Sequence, residues 1–295
     1  MAGKGMAFDQ FLAAEVAKYK GIAVPRRAGL LERALRRLVK AEKIHPNPDD
    51  EFCMPEIGPN YEIITHYGEA IRDAQLKHRD ATMFADRLTV EKMSPDGYMI
   101  LNGHHRWAAC HRQGMEKIPV RIVNVTHEED IRTMLARSDN HKRVTLDLDE
   151  VVFRPKGDKN VEWTRHLALR PLDRKPIRIG IPALFRFLRK NGYDVWVYTQ
   201  NFYSFDDVQH CFRMRLAAVT GAVTGTGRKV FSDPEGERKE VEKLFADKYS
   251  VTLHIDQNML LKTRHGDKAF EEFPLTDTGR GWSLEIMDIV QKMKE

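Results

Sequence analysis

Val144-Thr145-Leu146-Asp147-Leu148-Asp149-Glu150-Val151-Val152-Phe153 is the stretch that decides the reading of the second half of the chain. Val144 to Leu148 reads as a short buried strand, because apolar residues run up to two carboxylates spaced two apart. Two further apolar runs end on polar residues in the same manner. Val195 to Thr199 stops at Tyr198-Thr199-Gln200, and Val251 to Ile255 stops at Asp256. Helices are predicted over 179–191, 204–218, 236–249 and 282–294. Short strands alternating with helices predict an α/β fold, a parallel sheet with helices on both faces. Ligands of such sheets sit at the carboxyl ends of the strands. That rule gathers Asp147, Asp149, Thr199 and Asp256.

The chemistry of that set is specific. Hard carboxylate oxygens suit magnesium. One carboxylate can attack phosphorus while a second moves the proton of the leaving group. Asp147 and Asp149 share a face if the strand continues; if the chain curls past the strand end, they share a pocket with different roles. A cation for the phosphoryl oxygens is also needed. Lys229, in Gly225-Thr226-Gly227-Arg228-Lys229, is the first candidate and Lys239 the second. A second interpretation stays open, in which Asp147 and Asp149 merely end a strand in a non-catalytic domain.

Over about residues 143–295 this pattern resembles the haloacid dehalogenase (HAD) superfamily, whose first signature is an aspartate pair on an apolar strand. The resemblance implies a HAD-like Rossmannoid domain and a phosphatase acting through an aspartyl-phosphate. It implies Asp147 as nucleophile and metal ligand, Asp149 as general acid/base, and Thr199 and Lys229 as holders of the phosphoryl group. Asp147, Asp149 and Asp256 would be the magnesium site. Many members carry a second acidic residue after the last aspartate, whereas Gln257 and Asn258 follow here. Only 29 residues, 200–228, separate Thr199 from Lys229, and 49 residues, 150–198, separate Asp149 from Thr199. A core helix fits those gaps but a folded lid does not, so the domain is expected to be capless. Lys156, Lys159, Arg165, Arg170, Arg174 and Lys175 form a cationic flap, solvated or anion-facing.

In the first half, a strand over 87–93, a turn at Ser94-Pro95-Asp96-Gly97 and a strand over 98–101 lead to Asn102-Gly103-His104-His105-Arg106. A helix starts there and stops at Gly114. Backbone amides at a helix start, a glycine that allows close approach, and an arginine make an anion site. The histidines add donors or a proton acceptor. Over about 45–125 this half resembles the ParB N-terminal/sulfiredoxin-like superfamily, most strongly in Tyr98 to Val123. The resemblance implies an α+β domain that binds a nucleotide, ADP/ATP or CTP, through Gly103, His104, His105 and Arg106, with Glu56 nearby. Partition proteins of that superfamily bind DNA, and other members phosphorylate free serine. The latter carry Asp where Asn102 stands, and sulfiredoxins carry Cys where His104 stands; Cys110 is read as a core residue.

Further upstream, 7–20 reads as a helix, and 28–43 as a second one with Arg33, Arg36, Arg37 and Lys40 on its polar face. That face is either solvated or a nucleic-acid surface. The expected organisation is an extension over 1–44, the ParB/sulfiredoxin-like domain over 45–126, a linker helix over 127–142 and the phosphatase domain over 143–295. Two domains also suit 295 residues. The net charge of +5 fits a phosphate-bearing partner. Cys53, Cys110 and Cys211 are scattered, which argues against a disulfide framework. No run reaches the roughly 18–20 apolar residues of a membrane span, and the start of the chain lacks a secretory pattern, so a cytoplasmic protein is expected. Two functions follow. The first is a bifunctional magnesium phosphohydrolase whose substrate is a phosphorylated nucleotide, amino acid or nucleic-acid end. The alternative is a nucleotide-dependent, DNA-binding regulator with a non-catalytic second half.

Overall fold

The computed structural model describes residues 2–77, 86–155, 157–162, 171–226, 234–266 and 269–293. They form two compact units, one over residues 1–124 and one over residues 125–227 and 235–295.

The first unit opens with α1 (Ala2–Tyr19), β1 (Val24–Pro25), α2 (Leu30–Leu35), β2 (Leu38–Lys40) and β3 (Ile44–His45). After α3 (Tyr61–Leu76) come β4 (Leu88–Ser94), β5 (Tyr98–Asn102), α4 (His104–Arg112) and β6 (Lys117–Val123). The sheet order is β2-β6-β4-β5-β3, with β1 added antiparallel to β4. β4 and β5 are an antiparallel hairpin, and α4 carries the chain across to β6, which lies parallel to β4. Val90, Ile100, Ile118 and the α4 residues Trp107 and Ala108 share one core with Phe8 and Leu12 of α1. The first 44 residues are therefore part of this unit rather than an extension beside it.

The helix expected over 28–43 does not form at that length. Only Leu30–Leu35 is α-helical, with a single 3-10 turn at Ala41–Lys43, and neither piece holds a fully buried residue. Leu38–Lys40 pairs with β6 instead, burying Val39 between two exposed neighbours. Pairing on a sheet edge satisfies the backbone and buries one branched residue. An exposed helix would gain only its intrinsic propensity.

The second unit runs α5 (Glu128–Leu135), β7 (Lys142–Asp147), the hairpin β8 (Val161–Glu162) and β9 (Ile177–Arg178), α6 (Ile181–Lys190), β10 (Tyr193–Thr199), α7 (Phe205–Arg213) and β11 (Gly221–Thr224). α8 (Pro234–Lys248), β12 (Val251–Ile255), β13 (Met259–Arg264), β14 (Phe270–Pro274) and α9 (Trp282–Lys292) follow. The sheet order is β11-β10-β7-β12-β13-β14. Its first four strands are parallel and the last two antiparallel. The sheet is thus mixed rather than wholly parallel, and β11, β13 and β14 were not expected from the sequence.

Alternation along β10 explains how helices cover both faces. Val195 and Val197 join a core with Leu184 of α6, Phe212 of α7 and Ile286 of α9. Trp196, pointing the other way, packs with Met134 of α5 and with Phe245 and Tyr249 of α8. The segment expected as a linker helix contributes α5 to this second core. Among the described residues no helix is long and apolar enough to cross a membrane.

Candidate functional site

Asp147 is the last residue of β7, and β7 lies between β10 and β12. In register, Tyr198 of β10 pairs with Asp147, and Ile255 of β12 pairs with Leu146. Thr199 and Asp256, each one residue further on, therefore end the two strands that flank Asp147. The chain then makes a π-helical turn over Leu148–Val152. Leu148, Val151 and Val152 are buried, which drives the turn inward. Asp147 caps it: its Oδ1 accepts the backbone N–H of Asp149 at 2.8 Å and of Glu150 at 2.7 Å.

That turn separates the two aspartates. Asp149 swings toward β10, where its carboxylate accepts hydrogen bonds from Thr199 Oγ1 (2.5 Å), Asn201 Nδ2 (2.8 Å) and Tyr203 OH (2.7 Å). Lys175 Nζ lies 3.5 Å from its Oδ1 and donates to Tyr203 OH at 2.5 Å. Burial opposes ionisation of Asp149. The Thr199, Asn201 and Tyr203 donors, with the Lys175 ammonium, outweigh burial and hold the carboxyl below its ordinary pKa. The Lys175 ammonium also sits 4.7 Å from the Phe153 ring and 4.6 Å from the Tyr203 ring.

The expected metal set of Asp147, Asp149 and Asp256 needs correction. Among the described residues no three His, Cys, Asp or Glu side chains group as metal ligands. The Asp149 carboxylate is committed to its donors, which leaves Asp147 and Asp256. Two carboxylates still fit magnesium, which keeps several waters and is commonly held by one or two carboxylates and a substrate phosphate. Lys229 lies outside the described residues, as do Lys156, Arg165 and Arg170. Lys239 is exposed on α8. The cation that the described residues do bring to Asp149 is Lys175, which the sequence had placed only in a general cationic flap. Asn201 and Tyr203 had drawn no attention, although both follow directly on the Thr199 strand end.

In the first unit, α4 begins after Gly103, whose φ of 108° is one that side chains rarely adopt. A Cβ there would stand 2.8 Å from Leu88 Cδ2 and 3.0 Å from Arg106 Nη2. The two histidines have structural work. His104 Nε2 accepts the backbone N–H of Asn47, and His105 Nε2 that of Asn60, each at 3.1 Å. Phe52 lies against both rings. Burial lowers both imidazole pKa values, which keeps those nitrogens free to accept. They fasten the 47–60 loops to the helix start through Nε2, which puts the proton of each neutral ring on Nδ1. Arg106 turns back to Asn102 Oδ1 (3.2 Å) and the Arg87 carbonyl (3.4 Å). Glu56 is exposed on its turn, and Cys110 is buried in the core with its thiol pushed up to about 11 by burial.

Residues 84–138 match the ParB N-terminal domain family. Among solved structures, the chain is similar to the C-terminally truncated chromosome-partitioning protein ParB from Caulobacter crescentus complexed to the centromeric parS site. The two are 21% identical, the likeness covers 34% of this chain and 47% of that one, and the TM-score is 0.23. The match thus spans about half the length of that solved chain. No curated protein matches. The family match starts later than the resemblance expected from the sequence and runs through the whole of α5. It favours the ParB-like alternative over the phosphohydrolase, for which none of these matches speaks.

Proposed function

We propose that the second unit is a magnesium-dependent phosphohydrolase of HAD-like type, with an aspartyl-phosphate formed on Asp147. The observation that carries this reading is the triplet of strand ends: Asp147 on the middle strand, Thr199 and Asp256 on the strands either side. A bound magnesium, held by Asp147 and Asp256, would offset the negative charge between nucleophile and phosphate. Asp147 is braced through Oδ1 by two backbone amides, so its geometry is fixed before substrate arrives. Attack on phosphorus forms the Asp147 O–P bond and breaks the bond to the leaving oxygen. Thr199, nearly fully buried and already donating to Asp149, holds the proton carrier beside the reacting centre. Asp149, kept ionised by its donors, is set up as the base for hydrolysis of the acyl phosphate. For the first step it takes up a proton from solvent, which an arriving phosphate dianion favours by like-charge repulsion. It passes that proton to the leaving oxygen as the bond to phosphorus breaks, which returns Asp149 to the ionised form.

Phosphate release from p-nitrophenyl phosphate, nucleotides, phosphoamino acids and nucleic-acid ends, with and without magnesium, tests the proposal. Asp147→Asn should lose the magnesium-dependent rate by roughly 10³-fold or more. Retention of that rate would overturn the assignment.

The family match supports a second reading for the first unit, a ParB-like module that binds a nucleotide, with DNA as partner. Arg36 is occupied by Tyr98 OH at 2.8 Å and by Glu32 at 3.7 Å, so Arg37 is the better candidate for a phosphate contact. Arg37→Ala should lower DNA affinity and reduce the salt slope by about 1. Affinity and slope equal to those of the unaltered protein would remove the DNA reading.

A further inference from the structure

The first unit holds a cavity of about 530 Å³ at the C-terminal turn of α4, the end away from Gly103. Phe11 and Glu15, four residues apart on α1, reach it from one side, and Ala41 and Ile44 line it from the turn into β3. A volume of that size with apolar walls and a few polar groups suits a small molecule. His111 supplies one of those polar groups. Its ring is packed by Phe11, Trp107 and Phe8, with centroids at 4.3, 5.9 and 6.4 Å. Among the described residues neither ring nitrogen makes a hydrogen bond, and neither is sealed from solvent. Burial lowers the His111 pKa, so the ring presents one donor and one acceptor to the cavity.

Glu15 gives the cavity its charge. Its side chain is 20% exposed, and Oε2 accepts from His45 Nδ1 at 2.9 Å. That histidine does not cancel the charge. Burial lowers the His45 pKa, and its Nε2 is sealed without a partner, where a second N–H would go unmet. The neutral ring therefore donates through Nδ1, and the Glu15 carboxylate has no countercharge within ion-pair distance among the described residues. Lys18, Lys40 and Lys117 also line the cavity, but all three are exposed at its mouth. Lys40 is engaged by Glu42 at 3.5 Å, and Lys18 Nζ lies 4.9 Å from the Tyr19 ring. Charges at the mouth are screened by water and salt far more than a carboxylate within the cavity.

We infer that this cavity binds an organic ammonium ion, a protonated amine carried on an apolar body. The ammonium donates to Oε1 of Glu15, which has no partner of its own, and to the unprotonated nitrogen of His111. The body lies against Phe11, Ala41 and Ile44. An anion would be repelled by Glu15, and a neutral ligand would leave that carboxylate without a countercharge. The site belongs to the first unit and rests on neither the phosphohydrolase nor the DNA-binding reading.

Calorimetric titration of the full chain near neutral pH with 2-phenylethylamine, 2-phenylethanol and 3-phenylpropionate tests this. The three probes share an aromatic body and differ in the charge of the head group. Proton–carbon NMR signals of the His111 ring, assigned by their loss in His111→Phe, are followed alongside. Wild type should bind the amine about tenfold or more tightly than the alcohol or the acid, as expected for a charged hydrogen bond, and the His111 signals should shift. Glu15→Gln, which keeps an acceptor for His45, should abolish that preference, whereas Glu116→Gln at the mouth should change it less than about threefold. No binding of the amine, equal binding of all three probes, or preference for the acid overturns the inference. Amine binding that leaves the His111 signals unmoved overturns it too, because the amine then sits elsewhere. An unchanged preference in folded Glu15→Gln has the same consequence. If Glu15→Gln does not fold, His111→Phe, which keeps the aromatic packing, should weaken the amine about threefold or more, and unchanged affinity there overturns the site.

Discussion

Four side chains, Thr199, Asn201, Tyr203 and Lys175, converge on Asp149, and their balance sets its protonation. Three donors and an ammonium hold it ionised against its burial. Removing one donor should let its pKa rise. Tyr203→Phe deletes the 2.7 Å hydrogen bond and also frees Lys175 from the phenol oxygen. The expected outcome is an upward displacement of the acid limb of the pH–rate profile of hydrolysis, with activity retained at neutral pH. An unmoved limb would show that Asp149 does not control that limb. At this scale Asp147, Thr199 and Asp256 were legible in the sequence because each directly ends an apolar run. Asn201, Tyr203 and Lys175 were not, because they reach Asp149 only after a π-helical turn whose direction is set by three buried side chains. The loop-fastening contacts of the histidines in the Gly-His-His-Arg element were hidden for a related reason. Residue type suggested ligand donors; the structure commits Nε2 of each ring to a backbone N–H, of Asn47 and of Asn60, and leaves the ring proton on Nδ1.

Single elements are decided by what sits opposite them. Gly221 opens β11 and pairs with Trp196, and a Cβ on it would lie 2.2 Å from the indole Cζ3. Trp196 is fully buried and donates through Nε1 to Tyr249 OH at 2.9 Å, so the ring has little room to yield. Gly221→Ala should destabilise the second unit by about 1–3 kcal/mol through overpacking, seen as a lower urea midpoint. A midpoint equal to wild type would mean that the indole relocates freely. Gly221-Ala222-Val223-Thr224 is short and lies just past the helix expected over 204–218, which is why it escaped notice as a strand. The 28–43 segment erred oppositely: leucines at helical spacing predicted one long helix, but the edge of β6 claimed Leu38–Lys40. From β7 through β10 the alternation carried β7, α6 and β10 in order but not the β8–β9 pair between β7 and α6.

Across the whole molecule the two units differ in how they respond to acid. His45, His104, His105 and His111 all belong to the first unit, and burial is the main cause lowering the pKa of each. A histidine with a depressed native pKa binds fewer protons when folded than when unfolded. Its contribution to stability is present above the ordinary imidazole value of about 6.5 and is lost as pH falls through the native value. In the second unit the depressed groups include carboxylates such as Asp149, Asp158 and Glu285, whose contributions persist until pH falls below about 4. The first unit should therefore loosen first on acidification. For His104 and His105, protonation also removes the acceptors that fasten Asn47 and Asn60, so the 47–60 loops are the expected starting point. Hydrogen exchange followed from pH 7 to 5, corrected for intrinsic rates, should show protection falling in 44–112 while 142–199 stays protected. His104→Gln, which retains an acceptor without titrating, should flatten that pH dependence. Simultaneous loss of protection in both units, or earlier loss in 142–199, would refute the assignment of acid sensitivity to these histidines.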